Sequence, residues 1–398
     1  MKVLQINSVC GTGSTGRIAT DIHHLLTKSG HESAIAYGRG DAKNCNWTIK
    51  IGRNKDVLLH IVKTRLLDRH GFGSKKATEI FVKKVRDFNP DIIHLHNIHG
   101  YYLHIGVLFD FLKDFNKPVV WTLHDCWPFS GHSAFIDKPV EEKAIASFSD
   151  LRKYPKSLFI NNSRKNLKEK KRIFSGVDNL TIVTPSKWLA ELVEESFLKQ
   201  YPVKIINNGI DLDIFKPVQG DFRKRNNIED KFIVLGVANI WEERKGLKYF
   251  LDLAGMLGDD SVIVLVGVSE KQKAKLPKNI IGITQTNNVQ ELVEIYSTAD
   301  VFVNPTLEDN FPTTNIEALA CGTPVITFDT GGSGESVGDG CGRVVPRGNF
   351  NQLLDAIKDI KAHGKAKFEK QCIRHVQKHF DKYDKYQEYI LLYGEKIQ

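Results

Sequence analysis

The chain has 398 residues, 41% hydrophobic and 26% charged: length for two domains of ordinary size, in the composition of a globular protein. Its net charge of +9 lies wholly in one half, since residues 1–212 carry 32 Lys/Arg against 21 Asp/Glu and residues 213–398 carry 24 against 26. No apolar run reaches the ~18 residues of a membrane span, the cysteines form no C-x-x-C pair, and no nucleic-acid motif accompanies the basic half; a spanning helix, a zinc ribbon, a disulfide framework and a nucleic-acid module are all set aside.

The chain opens MKVLQINSVC GTGSTGRIAT. A single lysine followed so soon by a glycine loop does not read as a signal peptide, so a cytoplasmic protein with buried, unbridged thiols is expected. Val3 to Val9 reads as a buried strand, Gly11 to Gly16 spells G-x-G-x-x-G, and Ile18 to Thr27 reads as a helix. Such glycines let backbone N–H groups approach a phosphate at a helix N-terminus; a plain tight β–α turn uses them equally well. Further strands are expected at Ser33–Tyr37, Ile92–His96, Val119–Leu123, Leu180–Thr184 and Val203–Asn207, with amphipathic stretches such as Ile80–Phe88 and Trp188–Phe197 between them. The pattern restarts after Asp211. Gln219 to Asp230, polar and charged, reads as a linker. Strands at Phe232–Ala238, Val262–Val266, Ile280–Ile283, Val301–Asn304 and Pro324–Phe328 then alternate with helical runs at Leu247–Leu257 and Val289–Tyr296. The fold class is α/β: two Rossmann-like, doubly wound parallel-sheet domains, 1–212 and 213–380, followed by a C-terminal helix within 381–398. Ligands are expected outside the carboxyl ends of the strands.

The glycine spacing by itself predicts a dinucleotide enzyme. A dinucleotide site also needs a carboxylate at the tip of the second strand, and here that tip reads Tyr37-Gly38-Arg39-Gly40-Asp41. Arg39 leaves an NADP-dependent oxidoreductase open as an alternative, although the second domain offers no arrangement assignable to hydride transfer.

Residues 299–337 read ADVFVNPTLEDNFPTTNIEALACGTPVITFDTGGSGESV. A buried strand ends at Pro305, an acidic loop follows, and a helix begins at Thr313 and Thr314, where unpaired first-turn N–H groups attract phosphate. Asp309 and Glu317 flank that turn, placed to accept hydrogen bonds from sugar and ribose hydroxyls. Lys245, beside Arg244 in WEERKG, is electrostatically misplaced at a helix start unless it serves an anionic ligand.

This segment resembles the E-x7-E region of retaining GT-B glycosyltransferases of family four, with Asp309-Asn310-Phe311-Pro312-Thr313-Thr314-Asn315-Ile316-Glu317 matching it and Asp in place of the first Glu. The resemblance spans nearly the whole chain, and the strings HLHNIHGYY, TLHDCWPFSGH and LEDNFPTTNIEALACGTPVI look most like the bacterial colanic-acid and exopolysaccharide subgroup. It implies two domains facing a central cleft, with the last helix crossing back to the first. It places the ribose on Glu317, the transferred sugar on Asp309, and the diphosphate on the amides of Asn310 to Thr314 and on Lys245. Asn239 stands where the family usually has an arginine, and Arg244 is the candidate replacement. His124 matches a histidine near the donor sugar, and Gly13 and Gly16 become the first domain's phosphate-facing loop. His94 and His96 share one face of a strand; together with Asn97 and His99 they read as acceptor-side lining or as core polar groups. The resemblance implies a hexosyltransferase, a nucleotide diphosphate sugar as substrate, no metal and no cofactor. The acceptor it implies is a saccharide, lipid-linked by analogy, in surface polysaccharide assembly (exopolysaccharide, capsule or O-antigen). The basic first half suits peripheral contact with an anionic membrane at its inner face, and equally a solvated surface. A non-catalytic nucleotide-sugar-binding protein is the remaining alternative.

Overall fold

The computed structural model describes residues 1–136, 146, 150–152 and 154–397. They divide into two compact units, Met1–Asn207 with Tyr386–Gln398, and Asn208–Lys385.

The first unit is built on β1 (Lys2–Asn7), β2 (Glu32–Tyr37), β3 (Thr48–Lys50), β4 (Ile92–Leu95), β5 (Val119–Thr122), β6 (Leu180–Thr184) and β7 (Val203–Ile205). All seven run parallel in the order β3-β2-β1-β4-β5-β6-β7. The second unit repeats the plan with β8 (Phe232–Val237), β9 (Ser261–Val266), β10 (Ile280–Ile283), β11 (Val301–Asn304), β12 (Val325–Asp329) and β13 (Gly342–Pro346), in the order β10-β9-β8-β11-β12-β13. Helices cover both faces of each sheet, so the central strands are near-continuous apolar runs; Ile92, Ile93 and Leu95 are wholly buried, as are Val301 and Phe302. The strand order reverses between β1 and β4 in one sheet and between β8 and β11 in the other. Loops leaving those strands diverge to opposite faces and leave a crevice at their carboxyl ends.

The sequence reading placed eleven of these strands and missed β3 and β13. Both are edge strands, T-I-K and G-R-V-V-P, paired on one side only, so neither needs the apolar run that marks a central strand. The expected linker Gln219–Asp230 is packed structure. It contains a short helix, Phe222–Arg225, with Phe222 buried. Arg223 reaches Asp300 at 2.8 Å and Arg225 reaches Glu294 at 2.7 Å, so charges that looked solvated are paired against the second sheet. A helix at Asn54–Leu67 was also missed because it is inside out: His60 and Thr64 are its buried residues, while Leu58, Leu59, Val62, Leu66 and Leu67 face solvent. All six cysteines are thiols, five of them buried. No helix among the described residues is long and apolar enough to cross a membrane.

The last helix, Lys382–Ile397, begins in the second unit, where Lys382 pairs with Asp211 at 2.6 Å. From Tyr386 it belongs to the first unit. There Tyr386, Tyr389, Ile390, Leu392 and Tyr393 pack on Val3, Ile18, Ile22, Ile92, Val120 and Val183. Two tyrosines also reach into the sheet: the Tyr393 hydroxyl lies 2.6 Å from His94 Nδ1, and Thr122 donates to the Tyr389 hydroxyl at 3.1 Å. Tyr393→Phe keeps the packing and removes the partner of a buried ring nitrogen. The expected loss is about 1–3 kcal/mol, read as a lower urea midpoint at unchanged m; an unchanged midpoint would show that the contact is idle.

Candidate active site

The sequence-predicted residues of the second unit converge at the carboxyl ends of β8 and β11. After β8 the chain passes Asn239, which is exposed, makes a tight turn over Glu243–Lys245, and enters the helix Leu247–Ala254 through Gly246. Gly246 has φ +74°, and a Cβ there would lie 2.2 Å from the carbonyl oxygen of Pro305 at the end of β11, so only glycine lets the two loops touch. Hydrogen bonds then join them: Leu307 N–H donates to Arg244 O at 2.7 Å, and the Arg244 side chain donates from Nη1 to Glu308 O at 3.2 Å. Lys245 Nζ donates to Asp309 Oδ2 at 2.5 Å, and Asp309 Oδ1 accepts the N–H of Asn310 at 2.9 Å. The side chain that is one methylene shorter than the family's Glu closes on its own backbone while holding the lysine. Asn239 takes no part in this stitching; Arg244 and Lys245 carry it.

The helix Thr313–Ala320 follows in the chain soon after Asp309, with Pro312 before it and no side-chain cap on its first-turn N–H groups, so its N-terminus carries the positive end of the dipole. Thr313 and Thr314 are half-buried there; Asn310, Phe311 and Pro312 are buried, with Phe311 set against Phe380. Glu317, one turn in, is 4% exposed and accepts a hydrogen bond from the Tyr296 hydroxyl at 2.9 Å. The glycine turn after β12 joins the same assembly, since Gly332 N–H donates to Asn310 O at 3.1 Å. Asn315 locks that turn to the helix by donating to Ser333 O at 3.2 Å and Ser336 Oγ at 2.9 Å, and by accepting from Asn304 at 2.8 Å. The buried hydroxyl of Thr330, in this turn, has no hydrogen-bond partner among the described residues. Tyr296, Asn304, Asn315 and Thr330 escaped the sequence reading, although polar residues inside an otherwise apolar strand or helix are the signal that finds such groups.

In the first unit the glycine loop joins β1 to the helix Gly13–Lys28. Its glycines divide by role. A Cβ on Gly11 would meet Lys43 O at 2.1 Å, and Gly16 is buried against Val9, so both serve packing within the protein. Gly13, at φ +64°, is exposed with open space beside it, at a helix N-terminus that lacks a side-chain cap and any acidic first-turn residue.

His124 stands two residues beyond β5, its Nε2 3.2 Å from His96 Nδ1. His96 Nε2 lies 3.0 Å from Gln5 Oε1, and Gln5 donates in turn to Ala19 O in the glycine-loop helix at 2.9 Å. Both ring nitrogens of His96 are therefore engaged within the protein, one by His124 and one by Gln5. Asn97 is half-buried and held through its backbone, N–H to Asn7 at 3.3 Å and C=O to the Tyr102 hydroxyl at 2.9 Å. His99 Nε2 faces Asp125 at 2.8 Å. Among the described residues, no group of His, Cys, Asp and Glu side chains is assembled to hold a metal ion.

Two parallel sheets with reversed strand order, a glycine loop on the first and an uncapped helix end between carboxylates on the second, define the GT-B glycosyltransferase architecture. Family comparison agrees at both halves: the model of glycosyltransferase family 4 matches residues 15–214, and that of glycosyl transferases group 1 matches residues 218–379. The chain belongs to the group 1 glycosyltransferases. It is 25% identical over 374 residues to WcaC of Escherichia coli K12, named for colanic acid biosynthesis, covering 90% of each chain. Over 159 residues it is 30% identical to the N,N'-diacetylbacillosaminyl-diphospho-undecaprenol alpha-1,3-N-acetylgalactosaminyltransferase of Campylobacter jejuni, covering 37% of this chain and 42% of that one. Its fold matches that of the Anabaena protein HepE, solved with UDP, at TM-score 0.71 and 14% identity over 99% of this chain and 100% of that one; HepE is also solved with UDP-glucose.

The buried histidines set a pH dependence. Burial holds His70, His94 and His96 well below the usual histidine range, and pushes His60 to about 3 and His124 to about 4. Below pH ~6.5 the unfolded chain binds protons that these folded rings refuse, so stability falls as pH drops through that value. The melting temperature should decline steadily from pH 7 to pH 5; a flat profile over that range would contradict the burial of these rings.

Proposed function

We propose that the chain is a retaining, metal-independent hexosyltransferase that moves a sugar from a nucleotide diphosphate donor to a saccharide hydroxyl. The observation that carries this is the contact of Lys245 with Asp309 beside the uncapped start of the helix Thr313–Ala320. A cation and a helix N-terminus together form an anion site, and the buried Glu317 one turn further on is a hydroxyl acceptor fixed in orientation by Tyr296. In this reading the diphosphate lies on Lys245 and the amides of Asn310 to Thr314, the ribose on Glu317, and the transferred sugar beside Asp309. Arg244, bonded to the acidic loop, holds Lys245 in place. The bond from the sugar's anomeric carbon to phosphate breaks as the acceptor oxygen approaches the same face, and the departing phosphate takes the acceptor's proton; the site stabilises charge on that phosphate. HepE with UDP-glucose supports a nucleotide sugar, the Campylobacter relative a lipid-linked acceptor, and WcaC a surface polysaccharide.

Peripheral attachment to an anionic membrane has its own support. The outward leucines of Asn54–Leu67 meet a second exposed apolar run: Leu158 N–H donates to Arg65 O at 2.8 Å, and Leu158, Phe159 and Ile160 are exposed beside it. Exposed Arg53, Lys55 and Arg65 rim one side, and Arg164, Lys165 and Lys168 follow on the helix Ser163–Phe174. Exposed apolar side chains with cations nearby in the chain suit an anionic bilayer surface.

Two experiments test these readings. Melting of the protein is followed with a panel of UDP-, GDP- and other nucleotide sugars and with NADP(H). Stabilisation by a nucleotide sugar is expected, and with that donor Lys245→Ala should lower turnover roughly a hundredfold or more; stabilisation by NADP(H) alone, or near-normal turnover of the variant, would overturn the assignment. Separately, the protein should bind phosphatidylglycerol vesicles in a salt-sensitive manner that Leu59→Ser with Phe159→Ser abolishes. Salt-insensitive binding, or none, would leave the patch without a membrane role.

A further inference from the structure

Four of the six thiols meet in pairs. Cys341 and Cys372 face each other in the second unit, where both are wholly buried. Cys10 and Cys45 face each other in the first. Cys10 is the residue before the glycine loop and is wholly buried. Cys45 packs on the small apolar cluster of Cys10, Ala19, Ile35 and Tyr37, yet it is half-buried, between exposed Asn44 and Asn46. Solvent therefore reaches one cysteine of this pair and neither of the other.

The surroundings of Cys45 favour its ionised form. The Cys10 thiol, 4.0 Å from the Lys43 carbonyl oxygen, donates to the Cys45 sulfur. That bond, foremost, holds Cys45 below the usual thiol range, at about 5, although burial opposes it. The same bond pushes Cys10 up, so its proton stays on. His23, in the helix Gly13–Lys28, faces the Cys45 sulfur as well. Burial works against a charge on that ring, but hydrogen bonds to Cys45 and Asn46 outweigh it and raise His23 above its usual range. Ser33 at 2.9 Å and Asn46 at 2.8 Å fix the ring in place. As a thiol, Cys45 has only the carbonyl oxygen of Trp47, at 3.3 Å, to donate to in its own loop. Cys10 and His23 are thus the titratable groups set against Cys45, one a protonated thiol and the other a ring biased towards its cation. A sulfur so placed is a nucleophile at neutral pH.

The pair also joins two loops, those leaving the neighbouring strands β1 and β2. Lys43 N–H donates to Cys10 O at 3.2 Å, and Gly11 is pressed on Lys43 O, where a Cβ would lie 2.1 Å away. Gly11 N–H in turn closes the glycine loop on Gly16 O at 3.1 Å. Residues 38–47 form neither helix nor strand, and Asn44 within them has φ +53°. A covalent bond brings two sulfurs closer than a thiol contact does. The irregular segment 38–47 yields to that pull more readily than Cys10, held at the end of a buried strand. Because nothing separates Gly11 from Lys43 O, a shift of that segment passes directly into the glycine loop.

We propose that Cys45 is an oxidation site for peroxides and Cys10 its resolving partner, and that the disulfide they form ties residues 38–47 to the glycine loop and reversibly slows the enzyme. The Cys45 sulfur attacks one peroxide oxygen. The O–O bond breaks, the departing hydroxide takes up the proton that Cys45 released, and Cys45 becomes a sulfenic acid. The Cys10 sulfur then attacks the Cys45 sulfur: the S–S bond forms, the S–O bond breaks, and the hydroxyl leaves as water with the Cys10 proton. Two thiols and one peroxide give one disulfide and two waters, the two electrons passing from sulfur to the peroxide oxygens. A dithiol reductant reverses the bond. The disulfide rests on the geometry of the pair alone; its effect on turnover rests on the transferase reading above.

The test treats the full, reduced chain with hydrogen peroxide at neutral pH and maps its thiols and disulfides by mass spectrometry. The expected product is a Cys10–Cys45 disulfide that dithiothreitol reverses, with Cys341 and Cys372 still reduced until urea unfolds the chain. In Cys10→Ser, Cys45 should stop at the sulfenic acid and be trapped by dimedone. A Cys45 oxidised no faster than the buried thiols would overturn the proposal, as would a native chain in which Cys45 is oxidised without bonding to Cys10. Turnover of a nucleotide sugar should fall roughly tenfold or more in the disulfide form and return with dithiothreitol. Cys45→Ser should keep its turnover through the same treatment. An equal loss in Cys45→Ser, or full turnover of the disulfide form, would show that the disulfide does not govern the enzyme. If the disulfide forms in a chain that turns over no nucleotide sugar, the oxidation site stands and the transferase reading falls.

Discussion

A parallel sheet buried on both faces leaves almost no room for chemistry along its strands. Each side chain there must be apolar or must meet another polar group, because neither face reaches water. The polar residues inside the first sheet obey this: Gln5 and His96 pair with each other, His94 with Thr122 and Tyr393, and Gln5 with the backbone of the glycine-loop helix. Reactive positions are therefore displaced to the loops just past the strands. Right-handed crossovers put all those loops at one end of each sheet, and the reversal of strand order opens the space between them. His124, His99 and Gly13 in one unit, and Lys245, Asp309 and Glu317 in the other, all lie past a carboxyl end because the fold permits them nowhere else.

The second unit shows how such a loop is made firm enough to use. Lys245 is held twice over, by the turn it ends and by Asp309, and Asp309 is itself held by the amide of Asn310. A half-buried ion pair of this kind adds little to stability, because desolvation offsets much of the attraction. Its value is positional. A lysine ammonium has three donors, so it can keep the carboxylate and still present a donor to a phosphate, and without the cation a diphosphate would face a bare carboxylate. In the proposed reaction, Asp in place of Glu thus trades reach towards the sugar for a tighter hold on the lysine.

Much of this was legible in the chain because the governing signals are local. Apolar runs marked the central strands, and the string from Asp309 to Glu317 marked the helix start that the structure leaves uncapped. What the sequence concealed depends on partners far along the chain. The helix Asn54–Leu67 hid itself because its buried residues are His60 and Thr64, and His60 is used up by the amides of Gly71 and Gly73. Gln219–Asp230 looked solvated because its arginines' partners, Asp300 and Glu294, lie some seventy residues further on. The glycine spacing was genuine, yet only Gly13 faces outward, while Gly11 and Gly16 let the backbone pack on Lys43 and Val9. Spacing alone cannot separate a glycine that admits a ligand from one that admits the protein's own chain.

The state of His124 bears on how a proton could leave an acceptor. Burial pushes it to about 4, and its Nε2 already engages His96. Such a ring is neutral near pH 7 and is a weak base, poorly matched to take a proton from an alcohol, since catalytic bases work best with a pKa near the working pH. A neutral imidazole is still a good hydrogen-bonding group, and the chain Gln5–His96–His124 fixes its orientation from the sheet outward. A rigid, uncharged histidine suits the holding of a sugar hydroxyl better than proton transfer. In the proposed reaction His124 is thus a poor candidate for the proton's destination. This also explains why the residues behind His124 are polar and buried: they orient the ring and add no charge that would make it a base.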